Sequence, residues 1–546
     1  MKRKFGLLAA LLSAIVAVLC LTPAVKAAYA DVPDNALGDE VRKAAEYRLM
    51  NGFSDTVFGY SSPMTRAQFV TVLDRMLFQD EAGSPLPATM ELSASLSDVY
   101  RASLSRAVTC GVVDASAPFR AEETVTREEM AEMLVKALGL NDAALSLSSG
   151  PASARIAYAA PFQDLPEGKE GYAAIAYAIG MTKGASKTAF QPDEPATRAQ
   201  AAAMLTRVYE KLCQETDFRH GFLSTDAQIA SAKQMDAVSL EWSRMTWSSA
   251  NVLMVTTLPN GYEKIVETLN DDGVKLHLSV SMSVSDGAWE LLADDSGIIR
   301  AVEQILHELT APYPALGRNP YGGVTIDFDG LHTPQREAFT KHTPQREAFT
   351  KFLLELKDAL SPTGKTLYVC VAPYVPDGHW DNGYDCRAIA DIADKIILKA
   401  YGYGTESLNN FLGTTAYQNE APAPADKAYL SLLHLTSSVP ASKILFGVSF
   451  QSAAWKIDSD DKLISGVPAS VGVDALEQYL SFLDTRTAWS FEERTPYAIY
   501  ETPAGVRYFI WYENAKSVRK KTEIARLLGV TAVSYRPVDD IPSDLL

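Results

Sequence analysis

Cysteine is scarce in this chain, with five in 546 residues. One, Cys20, lies in an N-terminal apolar run. The other four, Cys110, Cys213, Cys370 and Cys386, are scattered without a C-x-x-C pair, so neither a zinc site nor a disulfide scaffold is indicated. Cys370 and Cys386 stay open as a pair or as two buried thiols. Also missing are a glycine-rich phosphate loop, an H-E-x-x-H helix and a serine nucleophile elbow, so no metal or cofactor is expected. Positive charge falls short, with 50 Lys and Arg against 67 Asp and Glu and a net charge of −17, the wrong sign for a nucleic-acid partner. Apart from the N-terminal run, no long hydrophobic stretch occurs.

That run follows Lys2-Arg3-Lys4, extends from Phe5 to about Leu21, and is followed by the small-residue site Ala28-Tyr29-Ala30. It reads as a signal peptide over residues 1–30, with an uncleaved membrane anchor as the alternative. Cleavage would remove four positive charges and no acidic ones, taking the net charge from −17 to −21. The mature chain is then expected to be exported and to have no membrane span. Its length and 47% hydrophobic content call for more than one domain, with sizeable cores.

Between Asp31 and about Cys213 the chain repeats one plan three times. An acidic turn (Asp31-Val32, Ser97-Asp98-Val99, Gln163-Asp164-Leu165) leads through a helix to a glycine (Gly52, Gly111, Gly180) and then to a helix start. The starts are Met64-Thr65-Arg66-Ala67-Gln68, Val125-Thr126-Arg127-Glu128-Glu129 and Ala196-Thr197-Arg198-Ala199-Gln200. Threonine is a natural N-cap, and Gln or Glu three places later completes a capping box. One copy would read as a capped helix start and nothing more; three copies make a module. These segments resemble S-layer homology repeats, at 31–80, 94–140 and 160–213, which hold Gram-positive surface proteins on pyruvylated secondary cell-wall polymers. The resemblance implies that partner and a cell-wall location. Arg66, Arg127 and Arg198 would present planar forks to an anionic group such as a pyruvyl ketal, and Asp31, Asp98 and Asp164 would shape the same grooves. Residues 144–160, rich in Ser, Ala and Gly, read as a linker.

From about Thr216 apolar strands alternate with helical stretches. The strands centre near residues 221–222, 237–240, 276–280, 324–329, 367–371, 395–398, 444–448 and 530–534. The pattern predicts a (β/α)8 barrel over 216–546 with a small α+β insertion at about 452–512, and hence a multidomain chain of helical repeats followed by an α/β barrel. The strand from Gly322 to Asp329 is the most informative. Asp327 and Asp329, two apart, share one face at the C-terminal end, where barrel active sites collect. Carboxylates there are costly unless partnered or used.

This strand resembles that of the glycoside hydrolase family 18 barrel, Asp-x-x-Asp-x-Asp-x-Glu, especially in the spore-germination and peptidoglycan-lytic branch. By that resemblance Asp327 stabilises the substrate's N-acetyl group while the acetyl oxygen attacks the anomeric carbon, a substrate-assisted retaining hydrolysis. Asp329 takes the place of the family's general-acid Glu, one methylene shorter. Gly322 and Thr325 hold the first two Asp positions. Lys399-Ala400-Tyr401-Gly402-Tyr403 stands where the family has Met-x-Tyr-Asp-Tyr. Tyr401 would bond the acetyl oxygen there, and Tyr403 would bind substrate. The same residues read equally as a Gly/Tyr loop closing a strand. Trp511 and Glu513 would line a sugar subsite, although Trp511 reads equally as core. Tyr535 would substitute for the Trp that floors the family's central subsite, and Thr325 would touch substrate. His277 reads as a core histidine, and Trp242-Ser243-Arg244 as a contributor to groove contacts. The implied function is a wall-anchored glycosidase acting on β-1,4-linked N-acetylhexosamine glycans, peptidoglycan or chitin-like. The alternative is a glycan-binding or structural surface protein that has lost turnover on the same barrel. Residues 332–341 recur identically at 342–351, which reads as an enlarged loop beside the groove.

Overall fold

The computed structural model describes residues 29–150, 158–225, 229–248, 251–331, 342–374, 383–403, 407–538 and 540–546, with the side chains of 342–345 excepted. Residues 1–28 of the expected signal peptide, the first copy of the duplication at 332–341 and part of the expected linker at 151–157 lie outside the described residues. The chain forms two compact units that interleave in sequence. One comprises the chain up to Val108, Asp114–Met130 and Asp193–Tyr209; the other comprises Thr109–Val113, Ala131–Pro192 and Glu210–Leu546.

In the first unit the three repeated motifs meet. Thr65, Thr126 and Thr197 each accept the N–H of the residue three places on, and Gln68, Glu129 and Gln200 each accept the threonine N–H in return. Each reciprocal pair satisfies two backbone donors that a helix start leaves orphaned. The residue before each threonine joins a closed ring of backbone hydrogen bonds. Met64 N donates to Ala196 O at 3.0 Å, Ala196 N to Val125 O at 3.0 Å, and Val125 N to Met64 O at 2.9 Å. All three side chains are fully buried. Ring closure therefore uses all three motifs, the divergent second one included. Tyr29 and Ala30, on the amino side of the expected cleavage point, belong to this unit. The Tyr29 hydroxyl accepts from Gly52 N at 3.1 Å and its ring lies 5.4 Å from that of Phe58.

The second unit contains the barrel, together with Thr109–Val113 and Ala131–Pro192 of the repeat region. Its parallel strands are β1 (Arg219–Leu223), β2 (Ala237–Ser248), β3 (Lys275–Ser283), β4 (Gly323–Asp329), β5 (Thr366–Val371), β6 (Lys395–Leu398), β7 (Ile444–Ser449) and β8 (Ala532–Arg536). They pair in sequence order, and β8 closes on β1 with Gly221 opposite Tyr535. Each strand falls where the apolar runs placed it. One element escaped the sequence reading: β2 runs on into an antiparallel hairpin with Asn251–Thr256. Helix Asn141–Ser149, which buries Ala143, Ala144 and Leu147, occupies the start of the stretch read as a linker. Small apolar residues at a spacing of three to four made a helix despite the serines.

Alternation along the strands sorts the barrel's residues. Val324, Ile326 and Phe328 face the helices, whereas Thr325, Asp327 and Asp329 face the barrel axis. Across the lower interior runs a buried polar chain. His220 bonds Ser534 Oγ and Ser239 Oγ at 2.8 Å each, Ser239 bonds Thr325 Oγ1 at 2.6 Å, Thr325 bonds His277 Nδ1 at 3.2 Å, and His277 Nε2 bonds Thr366 Oγ1 at 2.9 Å. Burial holds both histidines neutral: His220 is pushed down to about 3, with Arg536 adding to the effect, and His277 falls well below its usual range. A Cβ at Gly323 would lie 2.4 Å from Thr366 O and 2.6 Å from His277 Nε2, so only glycine fits above this chain. All four cysteines described are free thiols; Cys110 and Cys370 are buried, Cys386 is half-buried and Cys213 is exposed.

Between β7 and β8 lies a four-stranded antiparallel sheet in the order Arg486–Ser490, Thr495–Glu501, Arg507–Trp511, Ala453–Ile457. Helix Val473–Leu480 packs Leu476 on one face of the sheet, and Trp455, Phe509 and Trp511 fill the other. No helix among the described residues is long and apolar enough to cross a membrane.

Candidate functional site

At the C-terminal mouth of the barrel, five charges, four on strands β2, β4 and β8 and one just past β6, connect in alternation. Glu241 Oε1 accepts from Arg536 Nη2 at 2.5 Å, and Arg536 Nη1 donates to Asp327 Oδ2 at 2.6 Å. Asp327 Oδ1 accepts from Lys399 Nζ at 3.0 Å, and the same ammonium donates to Asp329 Oδ1 at 2.9 Å. The order is Glu241, Arg536, Asp327, Lys399, Asp329. Asp327 is 5% exposed and the Asp329 side chain 64% exposed, so one carboxylate sits at the floor and the other at the rim.

The electrostatics follow from this order. Burial alone pushes the Asp327 carboxyl up, but Lys399 and Arg536 together outweigh it and hold Asp327 far below the usual carboxylate range. Burial likewise opposes the charge on Lys399, and Asp327, Tyr384 and Asp329 overcome it, leaving the ammonium well above its usual range. Glu241 is raised, by burial first and by Asp327, with Arg536 opposing. Tyr401 lies against the same cluster. Burial pushes its phenol up to about 12 against the pull of Arg536 and Lys399, so it stays protonated and able to donate. Its hydroxyl bonds no described residue.

Of the residues proposed for the barrel site, the mouth brings together Asp327, Asp329 and Tyr401. The others lie elsewhere. Thr325 is buried one layer down, spent on Ser239 and His277. Tyr403 is buried with its hydroxyl 2.8 Å from Ser431 Oγ, which itself donates to Tyr374 O. Trp511 is 2% exposed in the core of the inserted sheet, its N–H donating to Tyr417 O at 2.9 Å. Glu513 is ion-paired with buried Lys521. Tyr535 faces outward, stacked 6.4 Å from Phe450, because on β8 the inward positions are Ser534 and Arg536. Lys399, Arg536 and Glu241 are the site residues the sequence reading missed; strand parity marks the last two, each lying two places beyond an inward serine, Ser534 or Ser239, and Lys399 is marked by its charge directly after an apolar strand.

In the first unit the three motif arginines differ. The Arg66 guanidinium is paired with Glu129 at 2.6 Å and Glu123 at 3.0 Å, so it is not presented to an anion as expected; the second motif supplies Glu129 where the third has Gln200. Arg127 is buried, its backbone N–H donating to Glu194 O at 3.2 Å. Arg198 donates to Asn51 O at 2.6 Å and Phe58 O at 3.2 Å, and its guanidinium lies 4.5 Å from the ring centre of Phe53. It lines a cavity of about 190 Å³ together with Asn51, Phe53, Gln68, Arg75 and Tyr100. Burial lowers its pKa and no carboxylate pairs with it among the described residues. Asp31 accepts the N–H groups of Phe58, Gly59 and Tyr60 at 2.7–2.8 Å and thereby fixes the loop that Arg198 touches. In the second unit Asp164 does the same for Phe190 and Gln191. Asp98 instead stands exposed in the first turn of helix Asp98–Thr109.

An eight-stranded barrel with a buried ionised carboxylate at its mouth and threonine-capped helical repeats ahead of it define a glycosidase-type barrel joined to surface-layer modules. Residues 221–534 match glycosyl hydrolases family 18, and residues 28–70 and 161–202 match the S-layer homology domain. The chain belongs to glycosyl hydrolases family 18 and carries S-layer homology repeats. It is similar to the cortical fragment-lytic enzyme of Bacillus subtilis, 23% identical over 261 residues (47% of this chain, 54% of that one), and to that of Bacillus anthracis, 25% identical over 223 residues (39% and 45%). The chain spans about half the length of the curated relatives it matches. Among solved structures, the Bacillus cereus spore cortex-lytic enzyme SleL aligns with a TM-score of 0.47 at 17% identity, over 67% of this chain and 81% of that one.

Proposed function

We propose that the protein is a wall-anchored hydrolase of β-1,4-linked N-acetylhexosamine glycans, peptidoglycan or chitin-like, working by substrate-assisted retaining hydrolysis. The observation that carries this reading is the meeting of Asp327, Asp329 and Tyr401 at one mouth, with Asp327 held ionised. Tyr401 would donate to the acetyl oxygen and hold it beside the anomeric carbon. Asp327 would stabilise the positive charge that develops on the acetamido group as that oxygen forms its bond. Asp329 would give its proton to the leaving oxygen as the glycosidic bond breaks, then recover one from the water that opens the cyclic intermediate.

A second reading, a glycan-binding protein with impaired turnover, is favoured by one contact: Lys399 donates to Asp329, where a proton donor needs its proton directed at substrate. Release of reducing ends from purified peptidoglycan and from chitin oligosaccharides separates the two. We expect slow hydrolysis by the native chain, none by Asp327→Asn, and a gain of about a hundredfold in Asp329→Glu, whose extra methylene restores roughly an ångström of reach. Native silence with an active Asp329→Glu would establish the binding reading. Silence in all three would remove the enzyme.

For the wall, Arg198 is the arginine best placed to meet an anionic polymer, since its cavity contains no carboxylate lining residue. Arg198→Ala is expected to lower retention on purified walls at least tenfold, and Arg66→Ala much less. Equal losses from both would refute that assignment.

A further inference from the structure

We infer that Lys399 is a positioning residue for the reaction, its one ammonium bridging the two carboxylates of β4 and fixing their spacing and charge. The inference rests on the hydrolase reading and deepens it. Lys399 is the first residue past β6, 9% exposed in its side chain, and its Nζ reaches both Asp327 and Asp329 at hydrogen-bonding distance. A lysine ammonium has three donors. Two are spent on these carboxylates, and the third has no partner among the described residues, which leaves it available to a sugar oxygen at the mouth.

The bridge does two things that an apolar side chain at this position would not. It draws the rim carboxylate toward the floor carboxylate. It also joins Arg536 in keeping the buried Asp327 ionised, against a burial that alone would protonate it. The groups facing this pair from the surrounding strands are Glu241 on β2, Cys370 on β5, Tyr401 past β6 and Arg536 on β8, with Tyr384 beyond β5. Among them Arg536 is the other fixed cation. Removing Lys399 therefore leaves Asp327 with one cation in place of two.

The sign follows. Asp327 has a depressed folded pKa, so in the native protein its charge persists through the acid range in which enzymes are assayed. With the charge at Lys399 removed, the Asp327 pKa rises, and a protonated and inactive fraction grows as the pH falls. In Lys399→Met and Lys399→Gln the acid limb of kcat/KM is expected to move up by about one pH unit, with kcat lost more than KM, whereas Lys399→Arg holds the limb near its native position. The same titration is read without turnover from the carbon-13 shift of the Asp327 carboxyl in the full chain. A chain that hydrolyses nothing but shows this carboxyl titrating higher in Lys399→Gln retains the inference and loses the hydrolase reading. Superimposable pH profiles and superimposable carboxyl titrations in native, Lys399→Met and Lys399→Gln proteins overturn it. If Lys399→Met fails to fold, the Lys399→Gln and native titrations decide.

Discussion

Asp327→Ala is expected to destabilise the barrel by about 3–5 kcal/mol, measured by urea unfolding at neutral pH, the cost of deleting one partner of a buried ion pair. The reason is what stays behind. Lys399 is 9% exposed and Arg536 28% exposed in their side chains, and both spend donors on Asp327. With alanine the Lys399 ammonium keeps only the rim carboxylate Asp329, and Arg536 only Glu241. Asp327→Asn fills the same volume and returns one acceptor oxygen, so it should cost less while abolishing the charge that the proposed hydrolysis needs. The pair thus separates stability from chemistry at one position. Asp329→Ala supplies the contrast: with its side chain 64% exposed, its bridge to Lys399 is expected to be worth under about 1 kcal/mol. An Asp327→Ala protein within 1 kcal/mol of native stability would mean that water reaches the floor of the site and screens both cations.

Trp511→Ala is expected to cost a similar 3–5 kcal/mol, in the range for deleting a large core aromatic, and to disorder the inserted sheet. Trp511 packs edge-on against the stacked rings of Tyr497 and Phe509, each 5.2 Å away, and its N–H donates to Tyr417 O. Trp511→Phe keeps most of the packing and loses only the N–H, and Tyr417 O still accepts from Glu420 N at 3.3 Å, so it should leave KM for glycan oligomers within about twofold while lowering stability by about 1 kcal/mol for the one hydrogen bond lost. A tenfold rise in KM for Trp511→Phe with native stability would return this ring to the sugar subsite that the family resemblance assigned to it.

The eight strands were legible because each is a Val/Ile/Leu-rich run that must be buried on two faces, and the three helix starts because a threonine with Gln or Glu three places on has a specific backbone job. The site was legible only in part. Asp327 and Asp329 announce themselves as charges in an apolar strand, and Lys399 does the same after Ile396-Ile397-Leu398. Tyr535 is the aromatic nearest to the place of the family's Trp, yet residue type does not decide which way a strand residue faces. Parity does, and Ser534, facing His220, puts Arg536 inside. Trp511, Glu513 and Tyr403 mark the limit of local reasoning. Whether an aromatic or a carboxylate beside a strand end meets a groove or a neighbouring element depends on partners such as Tyr417 and Ser431, distant in sequence, or Lys521 on the helix that follows, none of them predictable from the strand itself.

The ring of Met64, Val125 and Ala196 has a consequence for how such a protein would leave a wall. Its third member lies on Asp193–Tyr209, which continues covalently into the barrel, while the first two lie on earlier segments of the chain. A protease that nicks the chain once between residues 131 and 192 cuts the thread but not the knot: the downstream fragment still holds the upstream one through the ring and the packing around it. A single cut just beyond Tyr209 leaves the same kind of hold, because Ala131–Pro192 belongs to the barrel's unit, so release of the barrel calls for more than one cut, and a singly nicked protein should elute from a sizing column at its uncut size until denaturant is added.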